Sequence, residues 1–353
     1  MKVWLYWCVS LVLVLSVSIK VAAETNPAFP EEKVIVYNWT NYIPASVLAA
    51  FTKETGIQVE YSNYSSSEIM YTRLKLLKGR GYDVIVPSSV LIARMQKEGL
   101  LQPLDHRLLP NLKHIDPSLM DQTFDPSNTY SVPYLWGSTG IAVNTEKITQ
   151  PIQRWADLWQ KQWRGQLLLT DDMRGVFQIA LKANGQSTNT TDPDIIKQAY
   201  DRLSALMPNV KRIEANQPEQ AFLSGEINIG VLWNGDAFQA QQRNNKIHYI
   251  YPQEGTDLWV DSFAIPAKTK NKLNAHRFID YMLRPEVAAL CVKELGYASA
   301  NLSARALIDK YLLDNPIIFP PATVVKQAEF QKDVDEATKL YRLYWEKLKS
   351  GRL

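Results

Sequence analysis

Short runs rich in β-branched residues alternate with helical patterns along most of this chain, and this alternation limits the fold more than any other feature. Strands are predicted at Val34–Tyr37, Ile57–Tyr61 and Asp83–Val86, and helices at Ser46–Thr55 and Ser67–Lys78. A βαβαβ unit of this kind forms a parallel sheet with helices on its faces. The sequence therefore predicts an α/β protein.

The alternation resumes after residue 139. The predicted elements are strands at Gly140–Asn144, Gln166–Thr170, Ile227–Leu232, His248–Tyr251 and Leu258–Ile265, and helices at Val176–Asn184, Pro193–Met207, Ala237–Asn244, Asn274–Leu283, Pro285–Leu295 and Asp333–Leu348. The 353 residues exceed the ~250–300 at which a single core stops growing. We therefore expect two α/β lobes, with their boundary in the segments Tyr134–Gly140 and Asp261–Pro266.

The first 23 residues have the features of a secretory signal peptide. Lys2 provides a basic start, Val9–Val17 the apolar centre, and Val21-Ala22-Ala23 the residues before a cleavage site. The apolar stretch is shorter than the ~20 residues that span a bilayer, which argues against a membrane anchor. Cleavage removes Lys2 and Lys20, so the net charge of +3 becomes 3 − 2 = +1. This near-neutral charge gives no long-range attraction to nucleic acid, and the predicted location is the periplasm.

Aromatic residues and carboxylates follow several of the predicted strands. In open α/β sheets ligands bind beyond the carboxyl ends of the strands, so these positions are candidates for a binding site. The segments concerned are Asn38-Trp39-Thr40-Asn41-Tyr42, Pro87-Ser88-Ser89, Asp171-Asp172 and Trp233-Asn234-Gly235-Asp236. Trp259 and Asp261 lie two residues apart in one strand and so point to the same face. We expect these side chains to converge on one cleft.

Aromatic faces and carboxylates without a basic residue among them favour an organic cation as the ligand. Aromatic rings attract an ammonium group and cover an aliphatic chain, and a carboxylate makes burial of the charge tolerable. Each residue also has an ordinary structural explanation. A single tryptophan after a strand is more often part of the core, and Asp172 or Asp236 could cap a helix. Asp261 lies inside an apolar strand, where a charge needs a partner.

Other kinds of chemistry have little support in the sequence. The four histidines have no metal-ligand spacing, and no phosphate-binding loop or nucleophile elbow occurs. No catalytic residue, metal or cofactor is predicted. Three alternatives stay open at this point: a receptor for another solute such as ferric ion, a secreted hydrolase that uses Asp172 and Asp236, and a sensor or adhesion protein that binds the same ligand.

Several motifs resemble the periplasmic spermidine/putrescine-binding proteins that serve bacterial polyamine ABC transporters. The motifs are Val36-Tyr37-Asn38-Trp39-Thr40-Asn41-Tyr42, Phe51-Thr52-Lys53-Glu54-Thr55-Gly56, Tyr82-Asp83-Val84-Ile85-Val86-Pro87-Ser88, Leu167-Leu168-Leu169-Thr170-Asp171-Asp172, Trp233-Asn234-Gly235, Asp261-Ser262, Ala264-Ile265-Pro266 and Gly296-Tyr297. The resemblance implies two α/β lobes joined by a hinge, with the ligand in the cleft between them, and a membrane permease as partner. The expected division is a signal peptide at 1–23, an N-terminal lobe of 24–136 plus 262–303, and a C-terminal lobe of 137–261 plus 304–353.

The resemblance also implies roles for individual residues. The implied ligand-binding residues are an aromatic box of Trp39, Tyr42, Trp233, Trp259 and Tyr297, the ammonium partners Asp172 and Asp261, and the polar contacts Thr40, Ser88 and Gln331. Spermidine-binding members usually have an acid at the positions of Asn41 and Gly175 and an aromatic residue at that of Val90. Asp236 matches an aspartate of putrescine-binding members. We therefore expect spermidine, putrescine or both as ligands, with Asn41 and Asp236 also at the site.

Overall fold

The computed structural model describes residues 33–351 of the 353-residue chain. The predicted signal peptide at 1–23, the first residues of the expected N-terminal lobe at 24–32 and the last two residues at 352–353 lie outside the described part. Among the described helices, none combines the length and apolar character required to cross a membrane.

The described residues form a mixed α/β structure. The strands are β1 (Lys33–Trp39), β2 (Gln58–Tyr64), β3 (Val84–Ile85), β4 (Ser131–Asn144), β5 (Leu167–Leu169), β6 (Val210–Ile213), β7 (Ile229–Trp233), β8 (Ile247–Ile250), β9 (Asp257–Ala264), β10 (Ala298–Ser299) and β11 (Glu329–Phe330). The helices are α1 (Ala45–Thr55), α2 (Ser67–Leu76), α3 (Ser89–Lys97), α4 (Met173–Ala183), α5 (Pro193–Leu206), α6 (Glu219–Leu223), α7 (Asn234–Arg243), α8 (Lys272–Met282), α9 (Pro285–Leu295), α10 (Lys310–Leu313), α11 (Ala322–Gln327) and α12 (Ala337–Ser350). The α/β class predicted from the sequence is confirmed.

Two long antiparallel strands, β4 and β9, connect the two parts of the sheet. The strand order is β2-β1-β3-β9-β4-β7-β5-β6, and β1 runs parallel to both β2 and β3. The first half of β4 pairs with β9, and its second half pairs with β7 and β8. The two segments in which a lobe boundary was expected therefore lie on this strand pair: Tyr134–Gly140 is part of β4, and Asp261–Pro266 begins in β9.

The buried side chains of the described residues form four cores. One contains Val36, Phe51 and Phe278 from the N-terminal part of the chain and from α8. A second contains Phe177 of α4 and Tyr341 of α12. This arrangement follows from the alternation of strands and helices, because each helix buries its apolar side against the nearest part of the sheet.

Two of the differences between the predicted and the observed elements have a clear physical reason. The sequence indicated a strand only at Gly140–Asn144, whereas β4 begins at Ser131. Pro133 cannot donate a ladder hydrogen bond, and the register shifts between Pro133 and Leu135, which hides the strand pattern. Helix α3 was missed altogether because its run of buried residues, Val90 to Ile92, has no polar side to reveal a helical period.

Candidate ligand-binding cleft

A cavity of about 330 Å³ lies at the carboxyl ends of β1, β5 and β7. Its volume is within the range of small-molecule sites. The twelve predicted site residues that line it are Trp39, Thr40, Asn41, Tyr42, Ser88, Asp172, Trp233, Asp236, Trp259, Asp261, Tyr297 and Gln331. The structure thus brings all of them to one cavity, as the strand positions indicated for ten of them and the family resemblance for Tyr297 and Gln331. Their roles in binding a ligand stay predictions.

One group of aromatic rings is built from the ends of β1, β2 and β7. Trp39 and Trp233 meet edge to face, with 6.1 Å between ring centroids, and the ring of Tyr64 lies 4.8 Å from that of Trp39. The indole nitrogen of Trp39 donates a hydrogen bond of 3.0 Å to the carbonyl of Val86, which fixes the ring. These rings offer an apolar wall whose orientation is determined by the strands.

A second aromatic group is built around Tyr297, which follows α9. Its ring lies 5.4 Å from that of Trp259 and 5.2 Å from that of Tyr42. A Cβ atom at Gly235 would collide with the Tyr297 ring, so only glycine allows α7 to begin this close to it. The indole nitrogen of Trp259 and the hydroxyl of Tyr42 are buried and have no hydrogen-bond partner among the described residues.

Asp261 places a carboxyl group in the middle of β9, where burial of its charge is costly. It is 5% exposed, and no described residue forms a salt bridge with it. Burial raises the pKa of Asp261 to about 8, the neighbouring Asp172 adds to the increase, and the hydroxyls of Tyr42 and Ser88 counteract it in part. A cation in the cavity would supply the missing partner.

Asp172 performs the structural role that was considered as an alternative and also lines the cavity. One of its oxygens accepts a hydrogen bond of 3.0 Å from the backbone nitrogen of Gly175, which caps α4. Burial raises the pKa of Asp172, although the backbone of Gly175 and the nearby Arg174 favour its ionised form. Capping and ligand binding are therefore compatible, since the carboxylate has two oxygens.

Asp236, by contrast, does not cap a helix. It is the third residue of α7, a helix with no side-chain cap, and its Oδ2 atom is buried without a partner among the described residues. Burial raises the pKa of Asp236 well above its usual range, and the carboxylate of Glu219 raises it further. An unpaired carboxyl group beside another acid is costly unless a cation joins them.

The predicted polar residues have different local roles. Thr40 donates a weak hydrogen bond of 3.4 Å to the carbonyl of Tyr64. Ser88 is buried, and its backbone pairs with that of Asp261 in an isolated antiparallel β-bridge. Asn41 is exposed at the mouth of the cavity with φ of 54°, a left-handed conformation that asparagine tolerates. Gln331 donates its side-chain hydrogen bond to the buried carboxylate of Asp257.

The sequence analysis missed several charged residues of the cavity. Glu68 and Glu219 line it from the beginnings of α2 and α6, where an acid is usual and attracts no notice. Burial raises the pKa of Glu68 to about 7. The expectation of a cleft without basic residues holds for the strand ends but not for the whole cavity, because Arg94 and Arg174 also line it.

Two further arginines, Arg243 and Arg342, line the cavity as well. Arg94 and Arg174 already have protein partners. Arg94 pairs with Asp333, and Arg174 donates hydrogen bonds to the carbonyls of Lys332 and Thr188. Neither is therefore a free anion-binding group. Within residues 33–351, no three histidine, cysteine or acidic side chains are arranged to hold a metal ion.

Comparison with known proteins gives a consistent result. The sequence model of the bacterial extracellular solute-binding protein family matches residues 46–320. The chain is 45% identical over 317 residues to the spermidine/putrescine-binding periplasmic protein of Escherichia coli K12, covering 90% of this chain and 91% of that one. It is 34% identical over 345 residues to the putrescine-binding periplasmic protein PotF of the same organism, covering 91% and 93% of the two chains.

A solved structure also matches most of this chain. The spermidine/putrescine ABC transporter substrate-binding protein PotD of Streptococcus pneumoniae, solved with calcium and HEPES, superimposes with a TM-score of 0.76 at 34% identity. The match covers 91% of this chain and 100% of that one. The two-lobed binding-protein fold expected from the sequence is confirmed.

Proposed function

This chain belongs to the bacterial extracellular solute-binding protein family, and we propose that it is the polyamine-binding component of an ABC import system. The proposed ligand is spermidine, putrescine or both, bound in the cavity lined by the twelve residues named above. The protein would take up the amine and present it to a membrane permease. The names of its relatives support this assignment.

The observation that carries the proposal is the set of buried polar atoms that lack a partner inside the cavity. Asp236 Oδ2, Trp259 Nε1 and the Tyr42 hydroxyl are all of this kind among the described residues, and Asp261 lies beside them without a basic partner. Native structures rarely leave such atoms unpaired. A linear amine would satisfy the acids with its ammonium groups and cover the aromatic rings with its methylene chain.

We further propose that the N-terminal lobe comprises 24–136 plus 262–303 and the C-terminal lobe 137–261 plus 304–353. The strands β4 and β9, which carry the boundaries at 136/137 and 261/262, would act as the hinge. Because Trp39 and Trp233 come from different lobes in this division, a ligand that contacts both rings would favour the closed state by its differential affinity.

Export to the periplasm with cleavage of residues 1–23 is part of the same proposal. Relatives with periplasmic names support it, as does the signal-like composition of the first residues. We also propose that the cleft only binds its ligand and returns it unchanged. Incubation of the protein with spermidine, followed by mass spectrometry of the amine, would reveal any turnover by the hydrolase alternative.

Preference between the two polyamines is the most open part of the proposal. Asn41, Gly175 and Val90 depart from the spermidine pattern, and Asp236 matches the putrescine pattern. Higher identity to the spermidine/putrescine-binding relative than to the putrescine-binding one favours a receptor that accepts both.

The test is titration calorimetry of the mature protein after unfolding and refolding to remove bound ligand. Putrescine, spermidine and cadaverine are titrated in parallel. Binding of putrescine or spermidine at micromolar or lower concentration is expected. Absence of binding with all three amines would contradict the proposal. A metal assay on the same sample would then test the alternative that the protein is a receptor for another cation. Polyamine uptake by a deletion strain distinguishes an importer from a sensor.

A further inference from the structure

Glu219 and Asp236 form a pair of acids at one end of the cavity. Glu219 begins α6, Asp236 lies in the first turn of α7, and these two helices pack against each other. Both side chains line the cavity, and Glu219 is only 7% exposed. Glu219 is not among the residues that the family resemblance assigns to the site.

The pair has no counterion in the described part of the chain. Among residues 33–351, no salt bridge includes either residue, and Glu219 accepts a single side-chain hydrogen bond, of 3.0 Å, from the amide of Gln220. The Oδ2 atom of Asp236 is buried with no partner among the same residues. Arg243 is the basic residue of α7 that lines the same cavity, but it is exposed and has no acidic partner in the described part of the chain. Two buried acids that face each other without a cation are costly.

Tyr297 lines the same cavity as Glu219 and Asp236. Its hydroxyl feels the charges of Asp236, Glu219 and Asp261, and all four residues line the cavity. An amine whose methylene chain packs against the Tyr297 ring would therefore find both Asp261 and the Glu219–Asp236 pair in the same cavity. Acids at more than one position suit a ligand that carries more than one positive charge.

We propose that Glu219 is a specificity-determining residue that, together with Asp236, encloses one terminal ammonium group of the bound amine. The inference rests on the proposed function and deepens it. It assigns the second cationic end of the ligand to a position between α6 and α7. Glu219 would also supply an acid to a site in which Asn41 and Gly175 stand at positions where spermidine-binding members usually have acids.

The variant Glu219→Gln tests this role because it keeps the shape and the partner Gln220 but removes the charge. Calorimetry with putrescine and with spermidine should show affinity at least about tenfold lower than wild type. Thermal unfolding without ligand should be unchanged or shifted upward, because a like charge beside Asp236 is gone. Glu226→Gln, an exposed acid outside the cavity, is the matched control and should bind within about twofold of wild type.

Two results would overturn the inference. One is a Glu219→Gln affinity within about threefold of wild type. The other is an affinity loss accompanied by a lower unfolding temperature without ligand, which would indicate a structural role. If wild type itself binds neither amine, the proposed function fails instead, so the two failures are distinguishable.

Discussion

At the scale of single residues, the proposed site depends on a carboxyl group that the fold buries without a basic partner among residues 33–351. Asp261 lies in β9 with its backbone fully engaged in the sheet, so the side chain cannot withdraw to solvent. The main cost of this position is the burial of its charge. In the proposed function, a ligand cation would turn that cost into affinity, which would explain a charge inside an apolar strand.

Asp261→Asn should weaken polyamine binding by about 3–5 kcal/mol, because the buried ammonium loses its charged partner. Calorimetry on the refolded variant measures the loss. Asp201→Asn, an exposed acid paired with Lys197 on α5, is the control and should bind like wild type. A loss of less than about tenfold for Asp261→Asn would remove this residue from the site.

Polyamine binding should release protons near pH 7. Burial and the neighbouring Asp172 raise the pKa of Asp261 to about 8, against about 3.9 in an unfolded chain, so the free protein holds a proton there below pH 8. An ammonium group favours the carboxylate and expels that proton. Affinity should therefore rise with pH from about 6 to 8, whereas the unfolding free energy of the ligand-free protein should fall over the same window.

Calorimetry in buffers of different ionisation enthalpy counts the protons released. Asp261→Asn should release fewer than wild type but not none, because burial also raises the pKa of Glu68 and of Asp257 to about 7. Wild-type binding at pH 7 with no net proton release would contradict this electrostatic account.

Residues at strand ends were predictable, and residues at helix beginnings were not. Trp39 and Trp233 end strands and Asp172 comes shortly after one, where the geometry of an α/β sheet directs side chains to one edge. Glu68 and Glu219 occupy ordinary first-turn positions of helices. Their importance comes from packing between distant segments, which no local pattern records.

At the scale of secondary-structure elements, Asp172 joins helix stability to ligand binding. Asparagine caps a helix about as well as aspartate, so Asp172→Asn should change the unfolding free energy by less than about 0.5 kcal/mol. The same change removes the charge and should weaken polyamine binding about tenfold. Asp172→Ala should lose the affinity and in addition about 1 kcal/mol of stability.

Urea unfolding and calorimetry on the two variants separate these effects. The adjacent Asp171→Asn is the matched control, since Asp171 is partly exposed, outside the cavity and 3.6 Å from Lys349. It should alter affinity by less than about twofold. Equal affinity of Asp172→Asn and wild type would mean that Asp172 only caps α4.

The elements themselves were predicted with uneven success. Helix α9 was found with its exact bounds because Pro285 begins it and Gly296, in a left-handed conformation, ends it. The first half of β4 was missed because its period is interrupted at Pro133 and its pairing partner, β9, lies more than 120 residues away in sequence. Strand pairing over such distances depends on the tertiary fold.

At the scale of the whole molecule, the buried side chains form several cores, and helix α9 contributes to two of them. Its Cys291 is buried in the core that contains Phe51, and its Val292 in the core that contains Phe238. The cavity lies where residues assigned to both proposed lobes meet. Binding energy at this position would be converted directly into a change in lobe orientation.

The most direct test is a crystal structure of the refolded mature protein with its preferred polyamine. The account predicts a linear amine in the cavity, its methylene chain against Trp259 and Tyr297. One ammonium should lie within about 3 Å of Asp261 and another near Asp236. An amine bound elsewhere, or one whose ammonium groups avoid both acids, would contradict it.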